Sequence, residues 1–265
     1  MPASTPPHPV LDRYYEHEGD RASFITALFD GAARHYDRIG HLLALGTGPY
    51  YRRHALERAG LEPGMKLLDV ATGTGQVARA ATRILGDPGS VVGLDPSVGM
   101  LREARRAHSG PLVRARAEEM PLRGDVFDML SMGFALRHVT TLETAFAEYR
   151  RVLKPGGRLL LLEVSRPRSA VTRWVIRVYF QRVLPLVIRI ATRSPDAPLL
   201  MTYYWDTIAE CVPPETILAA LRQTGFVDVE HRMFAGCLSE YVAVKPARPR
   251  VETSSPATRD LPRVI

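Results

Sequence analysis

Short apolar runs alternate with amphipathic stretches through the middle of this chain. Lys66 to Val70, Ser90 to Leu94, Pro111 to Arg116, Asp128 to Phe134 and Arg158 to Glu163 read as strands, the last almost uniformly leucine. Runs that are apolar at consecutive positions suit parallel strands covered on both faces. Between them, Gln76 to Leu85, Ser97 to Ala107 and Thr141 to Leu153 carry helical periodicity. Ser97 can cap the second, and Gly86-Asp87-Pro88-Gly89 and Lys154-Pro155-Gly156-Gly157 stop the first and third. Such strict alternation predicts a doubly wound α/β sheet with right-handed crossovers.

After Glu163 the rhythm breaks. Residues 166–210 read as a mostly helical insertion between strands five and six, interrupted by Pro185, Pro195 and Pro198. Pro214 to Thr224 resumes as a helix, and Gly225 to His231 and Ser239 to Val244 read as two more strands, an antiparallel end to a mostly parallel seven-stranded sheet. Upstream, Ser23 to Tyr36 and Gly46 to Gly60 read as helices of a cap over residues 21–60, and Glu62-Pro63-Gly64 turns into the first strand. Residues 21–245 thus form one domain. Residues 1–20, with Pro2, Pro6, Pro7 and Pro9 and few bulky apolar groups, and residues 246–265 are expected to be mobile tails.

A chain of 265 residues with 46% hydrophobic content can supply one such core. Cys211 and Cys237 are the only cysteines and lack ligand-spaced partners, so no metal site is expected and the chain reads as intracellular and reduced. Met1 to Pro9 has no apolar core of a signal peptide, and no run approaches the length of a membrane span, so the expected location is cytoplasmic. The net charge of +7 is unevenly placed. Arg166, Arg168, Arg173, Arg177, Arg182, Arg189 and Arg193 fall in one stretch without an acidic residue. It lacks a recognised nucleic-acid motif, and Trp174, Val175, Ile176, Val178, Tyr179 and Phe180 between the arginines leave two readings. One is an amphipathic helix with a solvated basic face; the other is peripheral contact with a membrane surface through residues 166–193. The pattern does not indicate an oligomeric state.

Candidate chemistry concentrates after the first strand. Leu67-Leu68-Asp69-Val70-Ala71-Thr72-Gly73-Thr74-Gly75-Gln76 is a strand running into a two-glycine turn and a helix, with Asp95 ending the next strand. Glycines let the backbone approach a ligand, the helix N-terminus offers free N–H groups, and an acid at Asp95 can accept both hydroxyls of a ribose. The pattern points to a nucleotide-type cofactor. A helix cap without ligand is the alternative.

Three blocks resemble class I S-adenosylmethionine methyltransferases: Leu67 to Gly75, Asp95-Pro96-Ser97 with Met100-Leu101, and Val152-Leu153-Lys154-Pro155-Gly156-Gly157-Arg158-Leu159. Gly133-Phe134-Ala135-Leu136-Arg137-His138-Val139 and Leu162-Glu163-Val164-Ser165-Arg166-Pro167 narrow the likeness to the ubiquinone/menaquinone C-methyltransferase (UbiE) family, and Phe29 to Asp37 resembles its N-terminal segment. The likeness spans roughly residues 25 to 245. It implies a Rossmann-like fold and methyl transfer from S-adenosylmethionine, leaving S-adenosylhomocysteine. Gly73, Thr74 and Gly75 would pass the amino acid part of that cofactor, with Ala71, Pro96, Met100 and Gly133 around it. Asp95 would hold the ribose, Ala117 and Glu118 flank the adenine, and Tyr36 cover the methionine portion. Asp69 is placed to accept from the cofactor's amino group or to serve as a satisfied loop carboxylate. Arg116 stands where the family usually has Asn or Asp, which unsettles the adenine contact there.

For the methyl acceptor, an aromatic carbon attacks once a neighbouring phenol shares or loses its proton. Arg137, to stabilise a phenolate, and His138, to take a proton near neutral pH, are the catalytic candidates; a salt bridge and a surface histidine are their plainer readings. Tyr203, Tyr204 and Trp205 are substrate-binding candidates or core. A prenylated quinol or a related small aromatic is the expected acceptor. Phospholipid or natural-product N- or O-methylation, and a cofactor-binding assembly partner without turnover, are the alternatives; a nicotinamide dehydrogenase fits the terminal strands poorly.

Overall fold

Leu159, Leu160, Leu161 and Leu162 are all fully buried, and neighbours along this run enter different cores. Leu159 and Leu161 pack with Leu68, Val70, Phe146 and Leu221, whereas Leu160 and Leu162 pack with Leu67, Val91, Leu56 and Ala78. This is the two-sided burial that consecutive apolar positions require, because a strand's side chains alternate between faces. The computed structural model describes residues 5–44, 46–166, 169–186 and 196–248.

Strands β1 (Leu67–Val70), β2 (Val91–Asp95), β3 (Leu112–Arg114), β4 (Phe127–Gly133), β5 (Leu153–Val164), β6 (Val227–Phe234) and β7 (Leu238–Val244) form one sheet in the order β3-β2-β1-β4-β5-β7-β6. Only β7 runs against its neighbours. The chain therefore has the seven-stranded, mostly parallel architecture read from the sequence. The strand order reverses between β1 and β4, the switch point at which open α/β sheets leave a crevice beyond the strands' carboxyl ends. Helices α3 (Gln76–Leu85), α4 (Val98–Ala107), α5 (Leu142–Val152) and α8 (Pro214–Gln223) flank the sheet. In α3 the buried positions Val77, Ala78, Ala80, Ala81 and Leu85 make one stripe, and Gly86 ends the helix in the left-handed conformation. Ser97 caps α4 by accepting from the Met100 N–H at 3.0 Å.

A second layer covers the switch point. Helix α1 (Glu18–Leu43), α6 (Ala170–Val178), a π-helical turn at Tyr179–Val183 and α7 (Asp196–Glu210) belong to it, whereas α2 (Gly48–Arg58) packs on the sheet beside α3. Ile25, Leu28, Ala32 and Ile39 of α1 pack with Leu184, Leu200, Met201, Tyr203 and Tyr204 in a core of their own. The insertion and the first cap helix are thus one aromatic-rich layer.

The amino-terminal segment differs from expectation. Residues 5–17 are irregular, as their prolines require, but they are packed rather than mobile. The Leu142 N–H donates to the Thr5 carbonyl, the Val212 N–H donates to the Pro7 carbonyl, and His8 and Tyr15 are buried. The partners lie far along the chain, so local composition could not reveal them. Likewise β5 starts at Leu153, because Gly156 and Gly157 exchange hydrogen bonds with Lys245 and make the predicted loop a bulged strand entry. Pro198 falls in the first turn of α7, where proline is tolerated, while Pro195, Arg168, Arg189, Arg193 and most of the predicted carboxyl tail lie outside the described residues.

Candidate active site

The glycine turn opens onto a cavity of about 670 Å³ beneath α1. Ala71 and Phe134, the residues after β1 and β4, both have positive φ, at 53° and 61°, and both line the cavity. Left-handed backbone at non-glycine residues is costly and gathers where a site demands it. Gly73, at φ 56°, also lines the cavity, and a Cβ there would stand in open space rather than against protein. A ligand is thus able to approach the main chain closely at this point. Gly133 has a different reason to be small: a Cβ would meet Val77 Cγ2 at 2.8 Å.

Asp95 faces the same cavity, with one carboxylate oxygen accepting from the Gly73 N–H at 2.8 Å and the other from the Ser97 N–H at 2.9 Å. Each oxygen keeps a lone pair for a ligand hydroxyl. Burial pushes this carboxyl up to about 6, helped by Asp69 and Asp30 and opposed by the two backbone donors. Pro96, Met100, Ala117, Glu118 and Tyr36 complete the lining on this side. Glu118 is oriented by the Thr140 N–H, which donates to it at 2.6 Å, and Arg116 donates to the Thr140 hydroxyl at 2.8 Å. The departure at Arg116 therefore closes a clasp around Glu118.

Asp69, Thr74 and Gly75 lie behind the cavity wall. Asp69 is fully buried and accepts from Thr72 Oγ1 at 2.6 Å, Ser131 Oγ at 2.9 Å and the Ala78 N–H at 3.1 Å. It is the satisfied carboxylate that holds the turn, and burial raises it to about 6. Gly75 is the left-handed N-cap of α3, and the Thr74 hydroxyl donates to Asp37.

Two acids missed from the sequence explain how the cap sits. Asp30 accepts from Ser97 Oγ at 2.5 Å and from the Gly99 N–H at 2.7 Å at the start of α4. Asp37 accepts from Thr74, from Gln76 Nε2 at 2.9 Å and from Arg79 Nη2 at 3.2 Å at the start of α3. Seven residues apart, they share one face of α1, and each carboxylate meets a helix end that favours negative charge. That spacing was the available signal.

At the far end of the cavity stands His138. Its ring lies 5.6 Å from Tyr203 in a stacked arrangement and 5.4 Å edge-on from Phe29, and both ring nitrogens are buried without a protein partner. Burial and the nearby Arg137, His8 and Arg21 hold its pKa well below the ordinary value. His138 is thereby held in its neutral form. Arg137 does not line the cavity. Its guanidinium donates to Glu163 at 2.5 Å and to the Phe134 carbonyl at 2.8 Å, lies 4.9 Å over the Tyr204 ring, and is 2% exposed. The salt-bridge reading of Arg137 is the observed one. Tyr203, Tyr204 and Trp205 are buried residues of α7 outside the cavity lining; Tyr203 stacks on His138, and Tyr204 donates to Tyr36 Oη at 2.7 Å.

The model of the ubiE/COQ5 methyltransferase family matches residues 17–245. The chain belongs to this family. The ubiquinone/menaquinone biosynthesis C-methyltransferases UbiE of Shewanella sp. (strain W3-18-1) and Shewanella halifaxensis are 32% and 33% identical to it over 218 residues, covering 80% of this chain and 86% of each relative. Among solved structures, a SAM-dependent methyltransferase of Aquifex aeolicus superposes with a TM-score of 0.54 at 18% identity, covering 73% of this chain and 88% of that one. The [4+2]-cyclase SpnF gives a TM-score of 0.60 at 18% identity, covering 85% and 96%. A cyclase on the same fold shows that architecture alone does not name a reaction. As a ubiE/COQ5 family member the chain is an S-adenosylmethionine-dependent methyltransferase, and the open face of Gly73 with the paired acceptors of Asp95 suits that cofactor's backbone-hugging tail and ribose. Among the described residues no group of His, Cys, Asp or Glu is arranged to hold a metal ion.

Proposed function

We propose that this methyltransferase acts on a ring carbon of a quinol or a related hydroxylated aromatic. When bound, S-adenosylmethionine supplies an electrophilic methyl group on a sulfonium. Gly73 and Ala71 would flank its amino acid part, Asp95 would hold both ribose hydroxyls, and Ala117 and Glu118 would border the adenine. The protein's remaining task in an in-line displacement is to align the acceptor and exclude water. Phe29 and Tyr36 form the aromatic cover, Tyr204 supports it from behind by donating to Tyr36 Oη, and the His138 ring closes the far wall with both nitrogens turned away from the cavity.

One observation carries this reading: a single cavity joins Gly73 and Asp95 to an aromatic wall of Phe29 and Tyr36, against which a flat ring can lie. The names of the UbiE relatives favour a carbon acceptor. With a prenylated acceptor the enzyme works in the cytoplasm against the inner face of a membrane, through the segment 166–193.

The test supplies methyl-labelled S-adenosylmethionine with separate quinol, phospholipid and soluble aromatic pools. Label is expected on a ring carbon, and S-adenosylhomocysteine should raise the Tm of the same protein. Label confined to a phospholipid amine, or no label in any pool, would refute the proposal.

A further inference from the structure

Arg52 of α2 is half-buried, yet no hydrogen bond or ion pair joins it to another described residue. Other arginines of the same helix differ: Arg53 pairs with Glu57 and Arg58 with Glu240. The Arg52 guanidinium carbon lies 5.2 Å over the ring of Phe134, the left-handed residue that follows β4 and lines the cavity. Its side chain folds back along its own helix, so that a Cβ on Gly48 would stand 2.6 Å from Arg52 Nη1. Glycine in the first turn of α2 thus leaves the space that the guanidinium fills. That is the positive end of the helix dipole, where a cation is disfavoured. Burial also lowers the pKa of Arg52, with Arg79 adding to the effect and Tyr36, Asp69 and Asp37 opposing it. Neither of those carboxylates is available to pair with it. Asp69 is held by Thr72, Ser131 and the Ala78 N–H, and Asp37 by Thr74, Gln76 and Arg79. A cation so placed is complementary to an anion brought from outside.

The cavity wall supplies a second donor. Tyr204 donates to Tyr36 Oη at 2.7 Å, which leaves the Tyr36 proton for an acceptor in the cavity that Tyr36 lines. We infer that Arg52 and Tyr36 hold the carboxylate of the cofactor's amino acid end, the guanidinium as its counter-ion and the phenol as a hydrogen-bond donor. No other part of S-adenosylmethionine suits the place, since its ammonium and sulfonium are cations and its nucleoside is neutral. Arg52 at one end and Asp95 at the other then anchor the sulfonium between them, which fixes the line along which the methyl group is presented.

The full chain is titrated by calorimetry with S-adenosylhomocysteine and with its decarboxylated analogue, which keeps the amino group, the thioether and the nucleoside. The wild type should prefer S-adenosylhomocysteine about 10- to 100-fold, the range for a hydrogen-bonded charge. Arg52→Met should lose most of that preference by weakening S-adenosylhomocysteine alone, and Arg52→Lys should recover part of it. Without ligand, Arg52→Met should melt within about 2 °C of the wild type, since it breaks no ion pair. A wild type that binds both ligands equally, an Arg52→Met protein whose preference stays within about threefold of the wild type, or a parallel loss of both ligands would overturn the inference. No methyl acceptor enters these titrations. Their failure therefore leaves the proposed aromatic acceptor standing, and a failure to label any acceptor leaves the role of Arg52 standing.

Discussion

Replacing Glu163 by Gln removes the only anionic partner that the described residues provide for Arg137. The guanidinium's remaining contacts are the Phe134 carbonyl, the Thr207 hydroxyl at 3.2 Å and the face of Tyr204, none of which carries charge. Both side chains of the pair are 2% exposed, so solvent does not screen the loss. Leaving one member of such a pair buried alone costs about 3–5 kcal/mol, against a total stability of roughly 5–15 kcal/mol. With about 2–4 °C of Tm per kcal/mol in large domains, thermal unfolding of Glu163→Gln should come about 6–20 °C early. Arg137→Met should lose a comparable amount, since it strands the carboxylate instead. The double variant Arg137→Met/Glu163→Gln, which buries no charge, should return to within about 2 kcal/mol of the wild type. Calorimetry or denaturant titration of the four proteins closes the cycle. A Glu163→Gln Tm within about 2 °C of the wild type, or losses that simply add in the double variant, would show that the pair does not hold this region as argued.

Cofactor affinity should depend on pH through Asp95. Its carboxyl is raised to about 6, so S-adenosylhomocysteine should bind more tightly as pH rises through that value and the carboxylate forms. Titration calorimetry should show this rise vanish in Asp95→Asn; a rise that persists assigns it to another group. Gly73→Ala tests the open approach: strain at φ 56° should cost about 1–2 kcal/mol in stability, whereas S-adenosylhomocysteine affinity should fall by at least tenfold because the methyl enters the cavity. Affinity within threefold of the wild type would show that the ligand does not pass there.

The sheet was legible because its determinants are local. Consecutive apolar positions announced strands covered on two sides, and Ser97 and Gly86 marked helix ends by chemistry that acts within a few residues. The glycine turn and Asp95 were legible for the same reason, as a strand, a turn and an acid close in sequence. What escaped was long-range. The pairing of Arg137 with Glu163 crosses 26 residues, and the hold of Thr5 on Leu142 crosses more than a hundred. Neither leaves a periodic trace. Asp69 was visible as a carboxylate at a strand end, but its three donors come from the turn, α3 and β4, and only their convergence turns it away from the cavity.

The two acids of α1 have a kinetic consequence. Seven residues of helix set Asp30 and Asp37 about 10.5 Å apart on one stiff rod. Such a rod need not let go at both points to admit a guest. Loss of one carboxylate's contacts would leave the other still holding its helix end. Release at Asp37 uncovers the turn at Gly73, and release at Asp30 uncovers the side of Asp95. Two separately weakened latches, Asp30→Asn and Asp37→Asn, therefore report by their off-rates which end of the cofactor leaves first.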